Sequence, residues 1–213
     1  MVYKERGYKR DALLIPGWAL DYKILENMAL EYNFIIPETY NLEREILPFI
    51  KGKILILGHS LGGFLGFDFA CKHPKIVKKL ILVGIRKKYR KEEIFLMRKA
   101  LIKDKEATLY SFYRECFNRD EFLKFKNSFL SYYLKMDEGF LLDGLGLLLK
   151  IKIEAKLLKR IENVTIIHSK NDRIAPLNEA AYLCEKGNIG LVLMNFSHIP
   201  FLNKGFLEWI KGL

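Results

Sequence analysis

Little in this chain could staple it together from outside its own core. Its three cysteines, Cys71, Cys116 and Cys184, are an odd number at wide spacing with no C-x-x-C pair. Neither a disulfide framework nor a metal site is supported, and no cofactor is called for. Long apolar runs are also missing. None reaches the roughly 18 residues a membrane span requires, and the opening "MVYKERGYKRDALLIPGW" has no long apolar segment ahead of a small-residue cleavage site. A cytoplasmic protein without a membrane span is expected. There is no internal repeat and no low-complexity linker. Only six serines and four histidines are available, so the search for a nucleophile and its base is short.

What is present suits a soluble globular domain: 213 residues, half of them hydrophobic and 29% charged. That length buries a substantial core even with a modest insertion. The formal charge is +11, and it is uneven, with 14 Lys and Arg against 7 Asp and Glu between Arg86 and Lys135. Such an excess gathers anionic partners, whether nucleic acid, an anionic membrane surface or an acidic protein. A solvated lysine-rich helical surface accounts for it equally well.

Short aliphatic runs alternate with helical patterns through the first part of the chain. "DALLIPG", "NFIIPE", "KILILG" and "VKKLILVG" read as strands; "DYKILENMALEY", with Ile24, Leu25, Met28 and Ala29 in helical spacing, "NLEREILPFI" and "LGGFLGFDFACKHP" read as helices. Strands apolar on both faces and alternating with helices predict an α/β fold, a mostly parallel sheet covered on two sides. From Arg86 to about residue 150 no strand is expected, only helical patterns rich in Phe, Tyr, Leu and Lys. Strand patterns return in "NVTIIHS" and "IGLVLMN", with "PLNEAAYLCEKG" a helix between them and "GFLEWIKGL" a closing helix. The expected division is a core of residues 1–85 and 151–213 with a helical insertion, 86–150.

Gly58-His59-Ser60-Leu61-Gly62 is a G-x-S-x-G pentapeptide between a strand and a helix, the context a nucleophile elbow demands. The glycines allow close backbone approach at a strained turn, and the helix start favours developing negative charge. A serine needs a base, and the base needs an orienting carboxylate. His59 adjoins Ser60 and should point away from it, His73 lies at a helix end, and His168 lies near a strand end. His198, after the last strand, remains. "IIHSKNDRIAP" places Asp172 just beyond a strand. The chain order Ser60, Asp172, His198 is that of an α/β-hydrolase triad. The oxyanion donors expected by position are the backbone N–H groups of Leu61 and Trp18, with the Trp18 indole along the pocket.

"LLIPGWALD", "GHSLGG", "LLDGLGLLLKIKIEAKLLKRIENVTIIHSKNDRIAP" and "SHIPFL" resemble the α/β-hydrolase superfamily, and within it the pimeloyl-acyl-carrier-protein methyl ester esterases of biotin synthesis. The resemblance covers nearly the whole chain apart from the middle of the insertion, which it makes a lid. It implies that Ser60 attacks the methyl ester of a pimeloyl chain on an acyl carrier protein, releasing methanol and then the free acid, with no metal or organic cofactor. Acyl carrier proteins are acidic, so Arg114, Arg119, Lys124 and Lys126 become carrier contacts, and Phe112, Phe129 and Tyr133 line an acyl channel or form lid core. Pro16-Gly17 stands where the superfamily usually has His-Gly, sparing the donor N–H. The usual glycine-rich loop after the second early strand is replaced by "PETYNLEREI", removing a pocket wall. Ser169 replaces a glycine in the acid loop. The same residues fit a general carboxylesterase of small or lipid-like esters, or a non-catalytic scaffold whose basic lid binds an acidic partner. The lid has no RNA- or DNA-binding motif, so no nucleic acid is expected.

Overall fold

The computed structural model describes residues 1–213 except Asn27 and Ala29. Among the described residues seven strands form one sheet: β1 (Val2–Lys4), β2 (Asp11–Ile15), β3 (Asn33–Ile36), β4 (Ile54–His59), β5 (Val77–Val83), β6 (Val164–Ser169) and β7 (Gly190–Met194). Their spatial order is β1-β3-β2-β4-β5-β6-β7. All neighbours pair in parallel except β1, which runs antiparallel to β3 with Tyr3 opposite Ile35. β3 and β4 are buried along their whole length, as strands covered on both faces must be.

Helices fill the connections. α1 (Leu42–Glu45) follows β3, and α2 (Leu61–Lys72) links β4 to β5. Between β5 and β6 come α3 (Lys91–Lys103), α4 (Lys105–Cys116), α5 (Arg119–Phe125), a π-helical turn Lys126–Leu130 running into α6 (Ser131–Tyr133), then α7 (Glu138–Leu148) and α8 (Ala155–Leu158). α9 (Leu177–Gly187) links β6 to β7, and α10 (Lys204–Ile210) follows β7. The architecture is the expected α/β one, a mostly parallel sheet flanked by helices with a helical insertion consistent with a lid. No helix among the described residues is long and apolar enough to cross a membrane.

The structure departs from the sequence reading at two elements. The helix expected over 21–32 is, among the described residues, one 3₁₀ turn, Tyr22–Leu25; Ala29 lies outside the described residues. A local cap and a tertiary bond override the helical spacing here: the Asp21 carboxylate accepts from Lys23 N–H, and the distant Tyr133 hydroxyl accepts from Ile24 N–H. The second is β1, too short for a pattern of its own and held by its pairing with β3.

The sheet order locates the site. β2 leads outward to β3, and the chain then returns past β2 to place β4 on its other side. Beyond the carboxyl ends of β2 and β4 the connections therefore diverge and leave a crevice, the usual ligand position in an open α/β sheet. Residues 16–20 follow β2 and Ser60 follows β4.

Candidate active site

Ser60 stands at φ 50°, ψ −116°, a left-handed conformation that a side-chain-bearing residue adopts only when its surroundings enforce it. The enforcing contacts are backbone ones. Ser60 N–H donates to Val83 O at 2.9 Å, while its carbonyl accepts from Gly63 N–H at 2.9 Å. A Cβ on Gly62 would come to 2.5 Å from Pro16 O, and one on Gly58 to 2.7 Å from Gly63 Cα. Strand, helix and the turn after β2 meet too closely for side chains there. The strain holds the Ser60 hydroxyl off the tip of the elbow.

His198 Nε2 lies 3.1 Å from Ser60 Oγ, and His198 Nδ1 lies 2.9 Å from Asp172 Oδ2. Asp172 Oδ1 accepts from Ile174 N–H at 2.9 Å and Ala175 N–H at 2.7 Å. Burial opposes ionisation of Asp172, yet the neighbouring His198 and the hydrogen bonds to its oxygens hold the carboxyl below its ordinary value. An ionised Asp172 fixes the Nδ1–H tautomer, which leaves Nε2 a bare lone pair facing Ser60. The geometry is that of a catalytic triad.

Leu61 opens α2, and the N–H groups of a first helical turn have no acceptor within their own helix. Trp18 N–H has no hydrogen-bond acceptor among the described residues. A Cβ on Gly17 would lie 3.3 Å from Ser60 Cβ, so the Gly17-Trp18 turn abuts the nucleophile, where an oxyanion would need its second donor. The lid secures that turn: Tyr113 hydroxyl donates to Ala19 O at 2.5 Å, and Trp18 Nε1–H donates to Leu141 O at 2.8 Å.

The remaining histidines have other work. His59 is buried and its Nε2–H donates to His198 O at 2.9 Å. Burial, reinforced by His198, pushes its pKa down to about 3, so the ring is neutral. His168 Nδ1 accepts from Ser169 N–H at 2.9 Å while Nε2–H reaches Ile85 O at 3.2 Å. His73 lies at the C-terminal end of α2.

Ser60 and His198 open on a cavity of about 440 Å³ whose wall includes Trp18, Ile94, Met97, Phe112, Leu145 and Leu148. Phe112 meets the Trp18 indole edge to face at 4.7 Å. The other lid residues expected to bind substrate or carrier lie elsewhere. Phe129 and Tyr133 pack with Phe125, Tyr133 being fully buried and donating from its hydroxyl to Asp21 at 3.0 Å. Arg114 and Arg119 line a second groove of about 1040 Å³ with Phe122 and Asn195, and Arg173 lines both this groove and the Ser60 cavity. Lys124 lies in a smaller cleft with Arg119 and Lys204, and Lys126 is exposed on the π-helical turn.

The sequence reading gave no role to three residues at the site. Tyr89 places its hydroxyl 3.2 Å from Ser60 Oγ. Arg86, its side chain 7% exposed, bridges Glu93 on α3 at 3.1 Å and Glu179 on α9 at 3.0 Å, tying the root of the lid to the core. Ser169, read from the sequence only as the replacement of a glycine, donates from Oγ to Phe196 O and accepts from Asn171 N–H at 3.0 Å, joining the Asp172 loop to the His198 loop. "IRKKYRKEE" signals a solvated basic stretch, and nothing in it marks one arginine as buried or one tyrosine as turned inward.

A family profile described as the alpha/beta hydrolase fold matches residues 40–142. No curated protein matches in sequence. Among solved structures, an esterase from Exiguobacterium antarcticum superposes with TM-score 0.82 at 18% identity over 98% of this chain and 92% of its own. A thermophilic esterase from Thermogutta terrifontis gives TM-score 0.78 at 19% identity over 99% and 91%. An enol-lactonase from Burkholderia xenovorans gives 0.80 at 14% identity over 98% and 94%. The strand order and these superpositions give the chain the α/β-hydrolase fold, and the Ser60–His198–Asp172 geometry makes it a serine hydrolase.

Proposed function

We propose that the protein is a carboxylesterase of small or lipid-like esters. The observation that carries this reading is the hydrogen-bonded chain from Asp172 through His198 to Ser60, ending at a cavity of about 440 Å³ with an apolar side formed by Ile94, Met97, Phe112, Leu145 and Leu148 and a charged side formed by Arg86, Arg90, Glu93, Arg173 and Glu179. A volume in that range encloses a small ester, and the apolar side offers an acyl or alkyl group a surface to pack on.

In acylation the Ser60 proton moves to His198 Nε2 as Oγ bonds to the acyl carbon. The resulting oxyanion takes hydrogen bonds from the Leu61 and Trp18 N–H groups. Collapse breaks the bond to the alcohol oxygen, which takes the proton from Nε2. Water then attacks the acyl-enzyme by the same route and releases the acid. Asp172 stays ionised and stabilises the imidazolium formed in each half-reaction.

A narrower reading makes the substrate a pimeloyl methyl ester on an acyl carrier protein. What supports it is the sequence resemblance together with Arg114, Arg119 and Arg173 around one groove, a surface of the charge an acidic carrier would meet. Ser60 does not line that groove, which shares Arg173 with the Ser60 cavity, and free esters remain the better supported class.

Ser60→Ala is the test of the mechanism. It should lower kcat for a short p-nitrophenyl ester by about a thousandfold or more, by analogy with triad deletions, while the circular dichroism spectrum stays unchanged. Turnover equal to the parent protein would remove the reading. Comparing a carrier-bound methyl ester with the free ester separates the two substrate classes, because carrier docking predicts a markedly higher kcat/KM for the bound form.

A further inference from the structure

Tyr89 lies in the loop between β5 and α3, its hydroxyl 3.2 Å from Ser60 Oγ. The direction of that bond follows from the triad. His198 Nδ1–H is committed to Asp172, so Nε2 accepts the only Ser60 proton, and Ser60 Oγ is left to accept from Tyr89. Tyr89 is therefore the donor. The sheet order fixes its side: the Trp18 turn follows β2 on one flank of β4, whereas Tyr89, Asp172 and His198 follow β5, β6 and β7 on the other. An oxyanion belongs to the Trp18 flank. The oxygen that must exchange a proton with His198 belongs to the flank that holds Tyr89.

We propose that Tyr89 is a further catalytic residue, whose hydroxyl donates a hydrogen bond to the leaving alcohol oxygen in acylation and to the attacking water in deacylation. This rests on the esterase reading. Departing alcohol and incoming water occupy one position by microscopic reversibility, so one donor serves both steps. In acylation the proton on Oγ passes to Nε2, the Oγ–acyl bond forms, the bond from acyl carbon to alcohol oxygen breaks, and the Nε2 proton goes to that oxygen. Tyr89 keeps its own proton throughout. Burial pushes its pKa up to about 12, so the hydroxyl is intact over the working range. Its ring is seated for the purpose: the Arg86 guanidinium lies 4.8 Å from its centroid and is itself held by Glu93 and Glu179. Tyr89, Arg86 and Ser60 line one cavity.

The distinguishing property of a leaving-group donor is that it matters least where the leaving group needs no help. The experiment measures kcat/KM, which reports acylation, for p-nitrophenyl acetate and ethyl acetate with the parent protein, Tyr89→Phe and Tyr89→Met. Active-site titration with a fluorophosphonate counts only folded enzyme. Both variants should lose about 10- to 100-fold on the ethyl ester, the worth of one hydrogen bond to a charging oxygen. On the p-nitrophenyl ester, whose phenolate departs unprotonated, the loss should stay under about threefold. Equal losses on the two esters, no loss, or a gain would overturn the proposal for Tyr89 while leaving the Ser60 mechanism intact. A parent protein inert toward both esters would instead remove the esterase reading and this proposal with it.

Discussion

Asp172 meets His198 through a single carboxylate oxygen, Oδ2 at 2.9 Å from Nδ1, while Oδ1 is occupied by the N–H groups of Ile174 and Ala175. The division separates two duties. Oδ1 holds the loop in shape and Oδ2 sets the histidine tautomer. Asp172→Asn keeps an oxygen for the two backbone donors but turns an amide N–H toward Nδ1, which can then only accept. The proton moves to Nε2, and Ser60 loses its base. Activity on a short ester should fall by roughly three to four orders of magnitude, with a melting temperature within a few degrees of the parent. A smaller kinetic loss, or a collapse in stability, would contradict this division of roles.

The triad could be read from the chain because its chemistry is concentrated in few letters. A G-x-S-x-G after an aliphatic run is a local pattern, and four histidines leave few bases to sort. The strands β2, β4, β5 and β6 announce themselves because both faces are buried and both must be apolar. Tyr89 and Arg86 were illegible for the opposite reason: each lies in a stretch whose composition fits a solvated surface, and Arg86 is drawn in by Glu93 on α3 together with Glu179 on the distant α9, with the Tyr89 ring beside its guanidinium. The lid aromatics show the same limit. Phe112 and Tyr133 both occur in aromatic-rich lid sequence, yet one faces the Ser60 cavity and the other is sealed against Asp21, a choice set by how the lid helices fold back.

Gly62 exists to let α2 touch the turn after β2. A methyl group there would sit 2.5 Å from Pro16 O, which is backbone and cannot swing aside. Gly62→Ala must push the Pro16–Trp18 turn away from the elbow, carrying an oxyanion donor with it. Overpacking costs about 1–3 kcal/mol of stability, and a lost oxyanion donor costs roughly 10²–10³ in kcat. The expected signature is thus a kcat loss far exceeding what the unfolded fraction explains, measured on titrated enzyme. A variant that melts lower but turns over normally per active site would show that the turn tolerates displacement.

His59 gives folding a pH dependence between neutral and mildly acidic conditions. Its folded pKa is pushed down to about 3, first by burial and then by His198, against an ordinary value of 6.5. The sign follows from proton counting: between those two values the unfolded chain binds a proton at this site and the folded chain does not, so acid favours unfolding. The contribution is complete above pH 6.5 and is lost progressively as pH falls toward 3, with a slope of at most about 1.4 kcal/mol per pH unit. Asp172, also depressed, adds its loss only below its ordinary value of 3.8. Between pH 7.5 and pH 5 the drop assigned to His59 is therefore about 2 kcal/mol, readable as a shift in the urea midpoint at constant m. His59→Gln keeps an N–H for His198 O and cannot titrate, so its own stability curve should be flatter by that amount over the same interval, even though the substitution lowers stability at neutral pH. Parallel curves for the two proteins would mean that the folded state accommodates a charged imidazole at this position, and the neutral support beneath His198 would have to be given up.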